Sequence, residues 1–525
     1  MILISAQPDD YYFLWQLELQ LHNFKTLNIP KNLIHVLIGY DVTRGLSLEF
    51  DDFIKGNKYG TFFTYPDTRE NKEYVSSIRP HLIKQHLKAN PDINGTFFYH
   101  DSDILFREIP NFDLLSKTET WFVSDTRSYL DSKYIKTRES DEIFNQMCKI
   151  VGVDPALIVL NDINMGGAQY LIKNSSWNFW DKVEYDCERL YSFLKRNAVK
   201  TADIQDKKLS EYFGIDIWCA DMWALAWNAI YLGTHLEVHE ELDFCWPHDS
   251  KSEWYNKKIL HYAGVTRGDS VHFYKGEYIH YSPFYTSLSH ISNQYCSDII
   301  KTIIEEYKLT LTESRIKLKD VVFILHANNN SVEYLAILKA HLFFIERFFD
   351  TTVILVGHWE ESLIKNDPTF SKYRYIMSKS LKQNPREALL DFLRNNYSHK
   401  IIILLDASII IPQKQIVQII NAIRRQNNDI IIRCKGDIFL VDNFFKNIFY
   451  KTLDPLVLAH NRNKFDLIDK TDWTEPLFMR FKLFEKYFSI NDNPIDSRND
   501  LFTSLNIIED IRDVRRHSYS LCNTF

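Results

Sequence analysis

Glycine is scarce in this chain, 15 of 525 residues. Loops that wrap phosphates in successive backbone amides draw on glycine. No P-loop, G-x-S-x-G elbow or kinase motif set occurs. Cysteine is also sparse. The seven (Cys148, Cys187, Cys219, Cys245, Cys296, Cys434 and Cys522) are scattered and form no C-x-x-C. An odd count at loose spacing argues against a disulfide framework or a zinc set and for free thiols in a reducing compartment. Long hydrophobic runs are missing too. The longest, such as Ile401 to Leu405, have strand length and fall short of a membrane span. The first ten residues carry no basic n-region and only a short apolar run, unlike a signal peptide. A cytoplasmic setting is the expectation. Basic runs are absent and the net charge is -7. Proteins that grip a phosphate backbone show a basic face, so a nucleic-acid partner is disfavoured though a local patch is compatible with the sum.

What is abundant is aromatic: 36 Phe, 29 Tyr and 11 Trp. Much of this must be core, and carbohydrate sites also favour aromatic platforms. Apolar residues at 45% and charged residues at 25% describe a globular protein. A chain of this length implies about two to four domains.

Strand and helix patterns alternate from the first residues. Ile2 to Ser5 reads as a strand. Tyr11 to Leu27 reads as a helix with Leu14, Leu17, Leu21 and Phe24 on one face. Leu33 to Tyr40 and Tyr59 to Tyr65 are strand-like, Pro80 to Leu87 helical, and Phe97 to His100 a strand. Trp121 to Ser124, a turn and strand over Asp162 to Ile172, helices from Ser176 to Leu232, and a strand over Lys258 to Ala263 follow. This order predicts an α/β sheet with parallel strands. Ligands of such sheets sit beyond the carboxyl ends of the strands. Ser5-Ala6-Gln7, Tyr40-Asp41 and Asp101-Ser102-Asp103 should therefore converge on one crevice.

Residues 306–319 turn polar and read as a linker between a domain at 1–305 and a second at 320–525. The pattern then restarts: strands at Val321 to His326, Thr352 to Gly357, Ile401 to Leu405, Ile430 to Arg433 and Ile438 to Val441, with helices at Val332 to Phe349 and Arg386 to Asn395. The second half repeats the first at a spacing of roughly 300 residues. The counterpart of Asp101-Ser102-Asp103 is Asp406-Ala407-Ser408, which lacks one carboxylate.

Asp101-Ser102-Asp103 follows the apolar run Phe97-Phe98-Tyr99 and precedes Ile104-Leu105-Phe106. Two carboxylates on a turn directly after a buried strand can reach one divalent cation, or divide between cation and ribose. Mg²⁺ and Mn²⁺ take oxygen ligands and keep positions open for substrate phosphates. Two solvated acids at a strand end are the plainer reading. The flanking apolar residues and the late position in an α/β unit favour the metal role. Phosphatases with an aspartyl nucleophile place Asp-x-Asp after the first strand with Thr or Val following; here the motif comes near residue 100 and Leu105 occupies that place.

Other candidates keep two readings. His261 by spacing alone is an ordinary histidine among 18. Asp221, in the apolar run Trp218 to Trp227, is a helix N-cap, a desolvated base or a sugar-hydroxyl ligand. Gly166-Gly167 is a tight turn or a place for close ligand approach. Arg79, before Pro80 at a helix start, is a solvated arginine or a partner for a diphosphate or the aspartates. His235, His239, Glu240 and Glu241 do not form His-Glu-x-x-His and read as solvated surface.

Taken in order, the pieces Ile78-Arg79-Pro80-His81, Phe98-Tyr99-His100-Asp101-Ser102-Asp103, Asn164-Met165-Gly166-Gly167, Ala220-Asp221-Met222-Trp223 and Ile259-Leu260-His261-Tyr262-Ala263-Gly264, with Lys275 downstream, resemble a glycosyltransferase of the GT-A fold. The likeness spans roughly residues 1 to 285. It is nearest to the peptidyl serine galactosyltransferase and hydroxyproline arabinosyltransferase group and looser to the glycogenin-like family. The resemblance implies a nucleotide-sugar donor, most often UDP-linked, Mn²⁺ or Mg²⁺, and a hydroxyl acceptor on a protein or glycan. It implies metal binding by Asp103 and His261, with Asp101 on metal or ribose. Arg79 and Lys275 would steady donor phosphates. Asp221 would meet donor sugar or acceptor. By their places after strands and in turns, Ser5, Gln7, Tyr40, Ser102, Gly166, Gly167 and Gly264 are the further donor-binding candidates. Two departures stand out: Arg79 where lysine is common, and Asp221 where glutamate is common. The second half implies a degenerate GT-A-like domain, not catalytic.

Two rivals remain in view at this stage. A nucleic-acid base glycosyltransferase of the phage type fits the abundance of Asn, Lys, Ile and Tyr but not the acidic balance. A nucleotide- or glycan-binding scaffold without catalysis fits the damaged second half.

Overall fold

A computed structural model describes residues 1–204, 214–312, 315–327, 331–357, 367, 369–370, 373–377, 385–398, 400–425, 431–435, 438–454, 457–458, 461–467, 477–488, 511–515 and 518–520. The chain divides into two compact units. The first is Met1–Pro283 with Ser287–Tyr307, and the second Phe284–Thr286 with Lys308–Phe525.

The first unit is built on a seven-stranded sheet. Its strands are β1 (Ile2–Pro8), β2 (Ile34–Asp41), β3 (Thr61–Asp67), β4 (Phe97–Tyr99), β6 (Trp121–Asp125), β7 (Gly166–Ile172) and β8 (Leu236–Val238), in the order β3-β2-β1-β4-β7-β6-β8. β7 alone runs antiparallel to its neighbours. Strand β1 lies between β2 and β4 in parallel register, Leu3 opposite Ile34 and Phe98. Its residues Leu3 to Gln7 are all buried, as a central strand covered on both faces requires. Asp10 caps the Tyr11–Thr26 helix by accepting the Tyr12 amide at 2.8 Å, which stops the strand and starts the helix within three residues.

Helices Ile78–Ala89, Trp177–Ile204 and Ala220–Tyr231 pack on the sheet around a core that includes Trp180, Trp223 and Trp227. These rings, with Trp15, are fully buried, so part of the aromatic excess is core. Each such side chain contributes on the order of 3 kcal/mol by leaving water. Cys148, Cys187, Cys219, Cys245 and Cys296 are free and buried.

A small second sheet positions the site. Strand β5 (Ile104–Phe106) pairs antiparallel with β10 (Ile259–His261), which also pairs with β9 (Phe244–Cys245). The register sets His261 opposite Ile104, the residue that follows Asp103. One further bond, Tyr262 amide to Asp103 carbonyl at 3.0 Å, extends the pairing by a residue. Backbone pairing, not side-chain affinity, thus delivers a histidine to the aspartates from 158 positions downstream.

Among the described residues the second unit carries its own seven-stranded sheet: β11 (Ile316–Ala327), β12 (Phe349–Gly357), β13 (Arg374–Met377), β14 (Ile401–Asp406), β15 (Ile431–Lys435), β16 (Leu477–Arg480) and β17 (Ile511–Arg515), in the order β13-β12-β11-β14-β16-β15-β17. The antiparallel strand is again the fifth. Position for position, this is the strand order of the first sheet. The polar stretch 306–319, read from sequence as a linker, is occupied by the end of the Ser297–Thr312 helix and the start of β11. Among the described residues, no helix is long and apolar enough to cross a membrane.

Candidate active site

Asp101, Ser102 and Asp103 form the turn between β4 and β5. Ligand atoms of Asp101, Asp103 and His261 lie within 4.8 Å of one another. His261 Nε2 is 3.2 Å from Asp103 Oδ1 and 3.8 Å from Asp101 Oδ2. Two carboxylates and an imidazole at this spacing could hold a divalent cation. The ring is held from behind: Gln169 Nε2 sits 3.5 Å from His261 Nδ1, and Gln169 Oε1 accepts from Ser124 Oγ at 2.6 Å. Trp246 stacks on the imidazole with centroids 5.7 Å apart. Such backing fixes the orientation of a ligating histidine.

Two fixed cations balance the carboxylates. Lys275 Nζ contacts Asp103 Oδ2 directly. Burial opposes ionisation of Asp103, but Lys275 and His261 outweigh it and hold its carboxyl well below the usual range. Burial likewise opposes the Lys275 charge, and Asp103 overrides it, raising that pKa. Arg79 bridges the other two acids, 2.6 Å from Asp101 Oδ1 and 2.6 Å from Asp221 Oδ2.

Asp221 is not the helix cap. Cys219 holds the N-cap position of Ala220–Tyr231 and makes no side-chain capping bond. Instead Asp221 Oδ1 faces the Tyr74 hydroxyl at 2.7 Å, and its own amide donates to that oxygen at 3.1 Å. Burial raises the Asp221 pKa despite the adjacent Arg79 guanidinium.

The Asp101–Asp103 turn, His261, Arg79 and Lys275 border a cavity of about 720 Å³ beyond the carboxyl ends of β1 and β4; Asp221 and Tyr74 do not line it, and Asp221 instead borders a small neighbouring pocket with Arg79, Tyr99 and Asp101. Arg79, Asp101, Ser102, Asp103, His261, Gly264 and Lys275 all line it. Ser102 Oγ donates to Gln16 Oε1 at 3.0 Å, tying the turn to the first helix. Gly264 has φ +80°, a backbone state that favours glycine, and stands against Trp246.

Other sequence candidates sit elsewhere. Ala6 and Pro8 face the cavity, whereas Ser5 and Gln7 do not line it, because neighbours on a strand alternate faces. Gln7 is buried and donates to the Leu37 carbonyl at 2.7 Å. Tyr40 is half-buried and does not line the cavity either. At Gly166 a Cβ would lie 2.3 Å from the Ser124 carbonyl oxygen, and at Gly167 2.4 Å from the Tyr170 hydroxyl. Those glycines serve the close pairing of β6 and β7; the neighbouring Ala168 lines the cavity.

The sequence reading missed Tyr74, Gln169 and Trp246. Gln169 adjoins the Gly-Gly turn and its signal was that adjacency. Tyr74 and Trp246 carry no local signal, since their partners lie far along the chain.

No family model matches this sequence, and no curated protein matches it. Solved structures similar to the chain include the galactosyltransferase LgtC in complex with donor and acceptor sugar analogs, at 12% identity, covering 51% of this chain and 90% of that one, TM-score 0.27. The 4-diphosphocytidyl-2C-methyl-D-erythritol synthase from Anaerococcus prevotii gives 17% identity, 38% and 89% coverage, TM-score 0.23. Glucosyl-3-phosphoglycerate synthase from Mycobacterium tuberculosis, in complex with Mn²⁺, UDP-glucose and phosphoglyceric acid, gives 12% identity, 41% and 76% coverage, TM-score 0.22. At such values these likenesses carry nothing about the chemistry of this chain, which rests on its own residues.

Proposed function

We propose that the first unit is a metal-dependent glycosyltransferase that moves a sugar from a nucleotide-sugar, UDP-linked in this reading, to a hydroxyl acceptor on a protein or glycan. The observation that carries the proposal is the Asp101, Asp103 and His261 cluster on the wall of the 720 Å³ cavity. A cation held there would neutralise charge on the departing diphosphate.

The other residues fit defined tasks. Lys275 and Arg79 present positive charge beside the cluster and would steady the donor phosphates. Both carboxylate oxygens of Asp221 are engaged, one by Tyr74 and one by Arg79. In this reading Asp221, held by Arg79, orients the donor sugar, with the acceptor proton passing to the leaving phosphate and configuration retained. The ordered motifs, similar to those of the peptidyl serine galactosyltransferase and hydroxyproline arabinosyltransferase group, point the same way. The second unit, read as a degenerate GT-A-like domain, would serve acceptor binding or assembly.

Screening nucleotide-sugars for Mn²⁺-dependent release of the nucleoside diphosphate tests the proposal. Release from at least one sugar nucleotide, abolished in Asp103→Asn with the fold intact, is the expected result. Undiminished release in that variant would overturn the metal assignment.

A further inference from the structure

Trp223 and Trp227 are fully buried in the helix Ala220–Tyr231, whereas Trp218, in the 3₁₀ turn Ile217–Cys219 just before it, is 49% exposed. Trp218 stands on the wall of the large cavity. A single exposed indole on a protein surface needs no explanation. Trp218 is neither isolated nor loose. Val75, itself 45% exposed, and the exposed Asp216 line the same cavity. The Trp218 carbonyl accepts from the Tyr74 hydroxyl at 2.6 Å, and its amide donates to Asp216 Oδ1 at 3.1 Å. The Tyr74 ring meets the indole edge to face at 5.7 Å, and Tyr191 stacks on Tyr74 at 4.5 Å. The indole is thus fixed through its backbone and against one ring while half of its surface stays open. An aromatic surface held in place before a ligand arrives loses little entropy on binding one.

Asp216 supplies the polar half of this wall. Its Oδ1 holds the Trp218 amide, and no donor among the described residues reaches its Oδ2. The carboxylate is exposed, so that oxygen is open to a ligand in the cavity. A flat apolar ring with an open acceptor two residues away matches a pyranose, whose C–H face covers the indole while a hydroxyl donates to the carboxylate. An ammonium group would also suit an indole beside an acid. Arg79 and Lys275 already stand in this cavity, and the proposed cation would join them, so a neutral ligand is favoured.

We infer that Trp218 and Asp216 form the acceptor platform of the cavity and take a neutral sugar unit of a glycan. The inference rests on the glycosyltransferase reading and narrows its acceptor. Tyr74 ties this platform to Asp221, because its one hydroxyl meets both the Trp218 carbonyl and Asp221 Oδ1. The ring that receives the acceptor and the acid assigned to the donor sugar therefore share a hydrogen-bonding group.

Fluorine NMR on the full chain with Mn²⁺, its tryptophans replaced by 5-fluorotryptophan, tests the inference. The resonance missing from Trp218→Phe is that of Trp218. Maltose, cellobiose, lactose and diacetylchitobiose are the probes. At least one should shift the Trp218 resonance saturably, with or without excess UDP. Asp216→Asn keeps an oxygen for the Trp218 amide but loses the charge, and should weaken that sugar about tenfold. Saturation transfer to the same sugar should be lost in Trp218→Ala, and unfolding midpoints close to the parent show both variants folded. No shift with any probe, undiminished affinity in either variant, displacement of the sugar by UDP, or a shift with trilysine in place of the sugars would each overturn the assignment. UDP binding with Mn²⁺, measured separately by calorimetry, judges the donor reading independently: its absence sinks that reading while the disaccharide result still decides the platform.

Discussion

Arg79 and Asp221 meet through a guanidinium nitrogen and a carboxylate oxygen 2.6 Å apart. The same guanidinium reaches Asp101 at 2.6 Å, so one cation joins the turn after β4 to the helix that begins at Ala220. Removing it leaves two acids facing each other in a largely buried place. Arg79→Gln should lower the unfolding free energy at pH 7 by about 3 kcal/mol, the scale of a broken buried pair. Asp221 is already raised from its ordinary 3.8, by burial above all, and would rise further without Arg79. A carboxyl whose folded pKa exceeds its unfolded one adds stability at low pH and loses it as pH rises. The gap between variant and parent should therefore narrow from pH 7 to pH 5 in chemical denaturation. A constant gap would contradict this account of Asp221.

Tyr74→Phe removes the hydroxyl that faces Asp221 Oδ1 and accepts the Asp221 amide. Transfer should slow about tenfold, the scale of one hydrogen bond to a charged group. UDP affinity should change little. A large loss of UDP affinity with normal turnover would place Asp221 at the nucleotide instead.

In the second unit, Asp406 accepts from the Ser408 amide at 2.8 Å, from Ser408 Oγ at 2.5 Å and from Tyr334 at 3.1 Å. Three donors converge on its Oδ1, two of them from its own turn, where Asp101 and Asp103 face a cavity. Asp406→Asn should leave transfer unchanged and cost about 1 kcal/mol of stability, the scale of a weakened charged acceptor. A large fall in transfer would make the second unit catalytic.

His86 is buried between strand β2 and its own helix. Its Nε2 lies 3.0 Å from His35 Nδ1, and its Nδ1 lies 2.8 Å from the Tyr65 hydroxyl. Burial, with His35 beside it, lowers its pKa from 6.5 to about 3. The unfolded chain takes up this proton before the folded one does, so stability is lost as pH falls from about 6.5 towards 3. The group's share is at most about 5 kcal/mol. His86→Asn should be less stable at pH 7 but show a shallower decline between pH 6.5 and 4 in thermal unfolding. Equal slopes would show that His86 does not govern this window.

Much of the site was legible because backbone chemistry writes it locally. The apolar run Phe97 to Tyr99 read as a buried strand, and the two aspartates just after it stand at the carboxyl end of that central strand. Strand and helix limits read from periodicity fall close to those observed; β1 runs on to Pro8 and the Pro80 helix begins at Ile78. His261 was different. Nothing in its neighbourhood separates it from other histidines; only the resemblance singled it out, and the register of β5 with β10 explains its arrival. Ser5 and Gln7 were placed at the crevice by position alone, but strand alternation sends Ala6 and Pro8 there. Gly166 and Gly167 were read as room for a ligand, and the room is taken by the Ser124 carbonyl and the Tyr170 hydroxyl. Tyr74 and Trp246 were illegible, since each works through a contact whose partner no spacing rule reaches.

The most direct test is a Mn²⁺ titration followed by electron paramagnetic resonance, in the presence of UDP, comparing the parent chain with Asp103→Asn. The account predicts one tightly held Mn²⁺ per chain in the parent and a weakening of roughly a hundredfold or more in the variant, as expected when a ligand of the cation is lost. Equal Mn²⁺ binding by both proteins, or none by the parent, would contradict it.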